Sequence, residues 1–413
     1  MKKLVIMLFI LAVTSSGFSQ TLSLDDCIEL ALANNPDLQK SENSLKQSEI
    51  STKQAWSSLY PSISGNAATS NSGPFVSETQ DKWSWSVGGN VSQTIYQPGM
   101  YSGIKKAKVQ QAVSEYSNAS QVDLIRMNVE KLYLSILASD TLIGVYRASV
   151  QLADEQIIKM ERMVELGLKR QSDLLRTKVT RGSIESSLYR QTETLASSKR
   201  SLNILMGRDP NTEFRIFPIQ VDEVIVPEYK EAFSLAREKN PGVQQYKSQI
   251  EAQKLSLRIS KEAFLPTLSG TYSVGRSNTG IAGTTEDYDN FRLSLSIPIF
   301  DGFNKKLNVQ SYQIKLDEAQ LDYEAALRDL DDALSNQYKA LETQNRVIEI
   351  DKTNLESSRN NYEEISEQYA AGFSTILDLN DAHVSVLESE TNLLGDLYTR
   401  KQIEAEIRQL IGK

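Results

Sequence analysis

Trp83-Ser84-Trp85-Ser86-Val87-Gly88-Gly89-Asn90-Val91-Ser92-Gln93-Thr94-Ile95 alternates with a period of two. In an extended chain successive side chains point to opposite sides. Trp83, Trp85, Val87, Val91 and Ile95 therefore share one face, while Ser84, Ser86, Gly88, Asn90, Ser92 and Thr94 share the other. Phe291, Leu293, Leu295, Ile297 and Ile299, opposite Arg292, Ser294, Ser296 and Pro298, repeat the pattern. Each stretch follows a weaker alternating partner: Ile63, Gly65 and Ala67 against Ser62, Ser64 and Asn66, then Leu268, Gly270, Tyr272 and Val274 against Ser269, Thr271 and Ser273. The expectation is two β-hairpins. Strands of about 9–11 residues, apolar on one face, small and polar on the other, with aromatics near the ends, match membrane-spanning strands. The alternative is an antiparallel sheet with one face on a protein core. It needs an apolar layer over that face, and the polar helices of this chain offer none. Four strands cannot close a barrel, whose smallest membrane form has about eight, and an open edge is not tolerated in lipid. Several chains must each lend four strands. A dimer gives eight and a trimer twelve, and because an eight-stranded barrel is filled by its own side chains, a conduit needs more.

The hairpins belong to two copies of one unit. Asn35-Pro36 recurs as Asn240-Pro241, Leu59-Tyr60-Pro61 as Phe264-Leu265-Pro266, Gly167 as Gly372, Asp173-Leu174 as Asp378-Leu379, and Leu205-Met206-Gly207 as Leu410-Ile411-Gly412, each 205 residues apart. A period this long, present twice, marks a duplicated domain-sized unit, since solenoid repeats run roughly 20–50 residues. The expected organisation is a signal peptide at 1–19, a first repeat at 20–207, a linker at 208–226 and a second repeat at 227–413. Each repeat runs helix, hairpin, long helix, glycine turn, helix. Gly and Pro set the helix limits at about 22–58, 100–165 and 173–206 in the first copy and about 229–263, 303–370 and 375–411 in the second. The linker adds a short strand through Phe214-Arg215-Ile216-Phe217.

The long helices carry a narrow 3-4 apolar seam, as in Leu316, Ala319, Tyr323, Ala326, Leu330 and Ala333, interrupted by Gln337 and resumed at Ala340. Such a seam is that of a coiled coil. The other faces are Gln, Ser, Asn, Asp, Glu and Lys and should be wet. At 1.5 Å per residue, a helix of about 66 residues reaches roughly 100 Å, the length of two medium helices placed end to end. The fold class expected is a mixed α/β membrane protein, mainly long α-helical coiled coils, with four transmembrane β-strands per chain.

Met1-Lys2-Lys3, the apolar run Leu4 to Val13 and small residues to Ser19 fit a secretory signal cleaved near Ser19-Gln20. The run is too short to span a bilayer, which takes roughly 20 apolar residues. Net charge is −8, and −10 without Lys2 and Lys3, which argues against a nucleic-acid partner. Cys27 is the one cysteine, so no internal disulfide forms. The preceding Leu24-Asp25-Asp26 is wrong for lipidation, and Cys27 reads as a half-buried helix residue. No constellation does chemistry: Asp331-Asp332 and Glu363-Glu364 are adjacent charges on wet helices, and Ser86-Val87-Gly88-Gly89-Asn90 lies within a strand rather than a phosphate loop. The one histidine, His383, reads as a solvated surface residue rather than a ligand. The expectation is no enzyme, no cofactor and no metal site.

Tyr369-Ala-Ala-Gly372-Phe-Ser-Thr-Ile-Leu-Asp378-Leu-Asn-Asp381-Ala382 and its partner Glu165-Leu-Gly167-Leu-Lys-Arg-Gln-Ser-Asp173-Leu174, with the duplication, the hairpins and the long helices, resemble the TolC-like outer-membrane efflux protein family over essentially the whole mature chain. The resemblance implies a homotrimer: a twelve-stranded barrel in outer-membrane lipid, continued by an α-helical barrel through the periplasm. It also implies a periplasmic adaptor and an inner-membrane pump as partners. By position it makes Asp378 and Asp381 acidic rings that narrow the periplasmic entrance, three residues apart on one helix face. The alternative is two solvated helix acids. Asp173 and Tyr369 match positions that latch a closed tip, although Ser374 stands where some members carry an arginine and Lys169 or Arg170 would have to substitute. Tyr369 reads equally as an ordinary seam residue. Leu166-Gly167-Leu168 and Ala371-Gly372-Phe373 resemble the tips that meet adaptor hairpins, and both glycines also suit helix C-caps. A periplasmic coiled-coil spacer or adhesive protein is the competing class; its weak point is the lipid-like alternation of the hairpins. Only the second copy carries both acids, because Arg176 occupies the position matching Asp381.

Overall fold

The computed structural model describes residues 20–72, 82–218, 226–278 and 285–412. The expected signal peptide, both hairpin loops and part of the linker lie outside them. In chain order the elements are β1 (Gln20–Leu22), α1 (Leu24–Asn34), α2 (Pro36–Ser57), β2 (Ser62–Ser72), β3 (Lys82–Tyr96), α3 (Met100–Glu165), α4 (Gln171–Leu205), β4 (Phe214–Ile216), α5 (Tyr229–Lys239), α6 (Pro241–Glu262), β5 (Thr267–Asn278), β6 (Thr285–Ser296), α7 (Asn304–Ala371) and α8 (Ile376–Ile411). Two units result, one from residues 20–39, 121–236 and 331–412, the other from 40–120 and 237–330.

Each medium helix expected near the start of a repeat is two helices. Proline has no N–H and pushes the preceding residue out of the helical region, so Asn35 is extended at φ −64°, ψ 124° and Asn240 at φ −61°, ψ 119°. The break is used as a cap. Asn35 Oδ1 accepts from the N–H groups of Asp37 (2.9 Å) and Leu38 (3.1 Å), while its Nδ2 donates to the Leu205 carbonyl at 2.9 Å. Asn240 Oδ1 accepts from Val243 N–H at 3.2 Å. The duplication also shows within the first unit: Tyr133 donates to the carbonyls of Leu22 (3.3 Å) and Phe217 (2.8 Å), and Tyr338 donates to that of Pro227 at 2.6 Å. Both tyrosines and both first carbonyls are 205 apart.

The core of the first unit lies around Leu22, Cys27, Ile125, Val129, Tyr133, Ile136, Leu202, Met206 and Phe214. β4, the short linker strand, pairs in parallel with β1 over Leu22↔Ile216 and its neighbours. Cys27 corrects the sequence reading: it is fully buried here, at i−4 from buried Ala31, and burial pushes its thiol up to about 11. A thiol so protonated is a packing group rather than a nucleophile.

The second unit is built on one four-stranded antiparallel sheet in the order β2-β3-β5-β6. β3 joins β5 with Trp85 opposite Asn278 and a register shift between Thr94 and Tyr96. Ile63, Val91, Tyr272 and Phe291 face one another across all four strands, and every one is exposed in the single chain. The opposite face is polar: Ser62 and Ser92 hydroxyls bond at 2.6 Å and Ser70 and Ser84 at 2.7 Å. An apolar row wet on a soluble surface would be costly, and it suits lipid. β6 begins earlier than alternation suggested and ends at Ser296, before Pro298, whose missing N–H cannot extend a ladder. Among the described residues no helix is long and apolar enough to cross a membrane.

Candidate functional site

Two helix ends carry the candidate residues. α3 ends at Glu165 and α4 starts at Gln171; α7 ends at Ala371 and α8 starts at Ile376. Both turns close in the same way. Leu168 N–H reaches the Met163 carbonyl at 2.8 Å and Phe373 N–H the Gln368 carbonyl at 2.8 Å, with Gly167 at φ 71° and Gly372 at φ 85° in the left-handed position between. This six-to-one bond over a left-handed residue is the Schellman motif, which favours glycine because it has no Cβ. A Cβ at either glycine would meet nothing within 4 Å. Around them Leu166, Leu168 and Phe373 are 73%, 70% and 87% exposed, and Ala371 is exposed as well.

Behind the turns Met160, Leu174, Ile376 and Leu379 form a small buried cluster flanked by Tyr362 and Tyr369. Leu174 and Leu379 are counterparts, 205 apart. Tyr369 is half-buried, its hydroxyl 3.9 Å from Met160 Sδ and its ring 4.4 Å from Lys169 Nζ. Burial, and then the charge of Asp173, raise the Tyr369 pKa. Of the expected latch residues, Tyr369 carries Lys169 on its ring and feels the charge of Asp173 within one chain.

Asp378 and Asp381 are both exposed on one face of α8, as their spacing implies, but their carboxylates differ. Asp378 Oδ2 accepts from Thr375 N–H (2.9 Å), Thr375 Oγ1 (2.6 Å) and Ser374 Oγ (3.1 Å), and Thr375 Oγ1 in turn accepts from Asp378 N–H at 3.3 Å. This is a capping box. The bonds from Thr375 and Ser374 hold Asp378 below the usual carboxylate range. Ser374, the departure from the family pattern, thus has a use inside its own turn.

His383 is a second correction. It is buried, with Nε2 2.8 Å from Ser149 Oγ and its ring 5.9 Å from that of Tyr362, and burial holds its pKa down. The signal was its place on the buried stripe, four residues after Leu379 and four before Leu387. Asn380 is buried beside it and donates to Thr177 at 3.5 Å. Between α3 and α4, Arg181 pairs with Asp154 and Lys178 with Glu161, both at 2.8 Å.

A sheet with an apolar outer row, a polar inner row and two unpaired edges, carried on a duplicated set of long helices, defines the protomer of a membrane channel. The sequence profile of the outer membrane efflux protein family matches residues 27–208 and 232–413, two spans that start and end 205 residues apart, and the chain belongs to that family. It is an outer-membrane protein reaching into the periplasm, an exit duct of the efflux type, and its fold is a trimeric assembly of coiled coil and β-barrel. Among curated relatives it is 20% identical over 391 residues to the probable outer membrane lipoprotein SilC of Salmonella typhimurium, covering 92% of this chain and 84% of that one. It is 21% identical over 333 residues to the alkaline protease secretion protein AprF of Pseudomonas aeruginosa, covering 76% and 68%. The crystal structure of CusC superposes with a TM-score of 0.85 at 16% identity, covering 97% of this chain and 95% of that one.

Proposed function

We propose that this chain, exported by its signal peptide at 1–19, is the passive exit duct of an assembly energised by an inner-membrane pump, with no catalytic step of its own. In this reading the turns Leu166-Gly167-Leu168 and Ala371-Gly372-Phe373 receive a periplasmic adaptor. The observation that carries it is the exposure of Leu166, Leu168 and Phe373 on two turns whose surroundings are open. Apolar side chains at a solvated turn gain nothing unless a partner covers them. A photo-crosslinker in place of Phe373 should capture a periplasmic protein in cells. Leu168→Asp with Phe373→Asp should abolish that capture and transport while heat-resistant trimers persist in detergent. Transport at the wild-type rate by the double variant would sink the docking site.

Asp378 and Asp381 are the proposed constriction of the periplasmic entrance, where three chains would gather six carboxylates around one axis and attract cations. Asp381 has the freer carboxylate, because Asp378 Oδ2 is engaged by Thr375 and Ser374. In planar bilayers Asp381→Asn should weaken block by multivalent cations more than Asp378→Asn does; unchanged block in both would refute the constriction. Asp173 and Tyr369 are proposed to hold the closed tip. Tyr369→Phe should raise the conductance of the closed duct, and an unchanged conductance would leave Tyr369 as a seam residue.

A further inference from the structure

Within the first unit, repeat one meets repeat two through α3 and α8. Thr141 Oγ1 and Tyr398 Oη lie 3.2 Å apart, and Ser149 Oγ and His383 Nε2 lie 2.8 Å apart. Val145 and Leu387 line the same groove as Thr141, Ser149 and His383. The positions covered at this junction are open in their counterparts 205 residues away. Ser149 and His383 are 7% and 4% exposed, whereas Asn354 on α7 and Lys178 on α4 are exposed. Val145 and Leu394 are half-buried, whereas their counterparts Ile350 and Tyr189 are 59% and 67% exposed. A matched set of positions that changes from covered to open between repeats marks a junction made once inside the chain and left unmade at its other side.

We propose that α7 of one chain docks on α4 of the next copy in the alignment that α3 and α8 adopt within a chain, with Arg346 paired to Glu193 of the neighbour. Thr141 and Tyr398 map onto these two residues, which carry opposite charges on side chains 76% and 73% exposed. In the single chain Arg346 pairs with Glu342 at 2.6 Å and Glu193 with Arg200 at 2.8 Å, each along its own helix. Exposed pairs of this kind are worth little, so exchanging them for a pair between chains costs little. Asn354 and Lys178, in place of Ser149 and His383, match as acceptor and donor. Charge also keeps the two kinds of junction apart. Inside the chain Lys131 pairs with Glu406 and Arg408 with Glu130, whereas the matching positions between chains hold Asn336 with Ser201 and Ser335 with Asn203. A neighbour presenting α8 to this face of α7 would leave Arg346 opposite Tyr398, and one presenting α4 to α3 would leave Lys131 opposite Ser201. Such mismatches select against wrong pairings, and the ring closes head to tail. The seam rests on the trimeric fold and not on the docking turns or the constriction proposed above.

The test uses the full-length protein in detergent. Arg346→Cys combined with Glu193→Cys, treated with a short bis-maleimide, should give a ladder of linked chains on denaturing gels. Thr141→Cys combined with Tyr398→Cys should link only within a chain, and each single variant should stay unlinked, because Cys27 is fully buried. Arg346→Glu and Glu193→Arg should each lower the temperature at which trimers dissociate by a few degrees, and the two together should recover most of that loss. A ladder absent from the Arg346 and Glu193 pair while the Thr141 and Tyr398 pair links would overturn the seam. So would a charge-swapped double variant no more stable than the weaker single one.

Discussion

The two turns close alike but launch their return helices differently. α8 starts from Thr375, whose hydroxyl and the carboxylate of Asp378 cap each other's backbone. α4 starts from the matching residue, Arg170, with no side-chain cap at all. Asp173, the counterpart of Asp378, is consequently free of that duty and lies where its charge acts on Tyr369. One aspartate, inherited twice, caps its own helix in one copy, while in the other its charge acts on Tyr369 of α7. The backbone path is common to both turns, and the cap residue, Arg170 or Thr375, decides whether the aspartate three residues on is tied to its own helix start.

The comparison breaks most forcefully at the shared cluster. Leu174→Ala and Leu379→Ala should each cost about 2–5 kcal/mol, as truncation of a packed leucine does, and nearly equal losses in Tm would mark the sites as equivalent. Gly167→Ala and Gly372→Ala should each cost roughly 1–2 kcal/mol, the left-handed penalty for an L-residue, because open space leaves backbone strain as the only effect. Thermal unfolding in detergent reads both. Thr375→Ala should lose about 1 kcal/mol, while Arg170→Thr should gain up to about that amount by building the missing box with Asp173. Destabilisation by Arg170→Thr would mean that Asp173 does not turn back into the box. The smallest effect is on pH. Asp378 is lowered by its cap bonds, so their contribution is complete above the ordinary carboxylate range and disappears as pH falls through the lowered value. The Tm difference between wild type and Thr375→Ala should persist through mild acid and close only below it.

Much of this was legible. The limits of α3 and the alternation of β3 follow from Pro, Gly and a period of two, and the resemblance fixed the place of the turns. Asn35-Pro36 marks the duplication in the sequence, and the capped break it makes follows from the proline's missing N–H together with the asparagine side chain. Thr375-x-x-Asp378 is a capping box in plain sequence, hidden by the stronger suggestion of an acidic ring. His383 reads as a surface residue by its polarity, whereas its four-residue spacing from Leu379 and Leu387 puts it on the buried stripe.

The order β2-β3-β5-β6 leaves one edge from each repeat, β2 from the first and β6 from the second. Inside the chain, the join between hairpins is already a pairing of repeat one with repeat two. When β6 meets the β2 of a neighbour, that join is again of second repeat to first, so a closed ring has the same kind of junction whether or not a covalent linker crosses it. Cutting the chain within 208–226 and expressing the halves together would leave every such junction intact, and an ancestor of half this length could have closed the same ring from six separate copies.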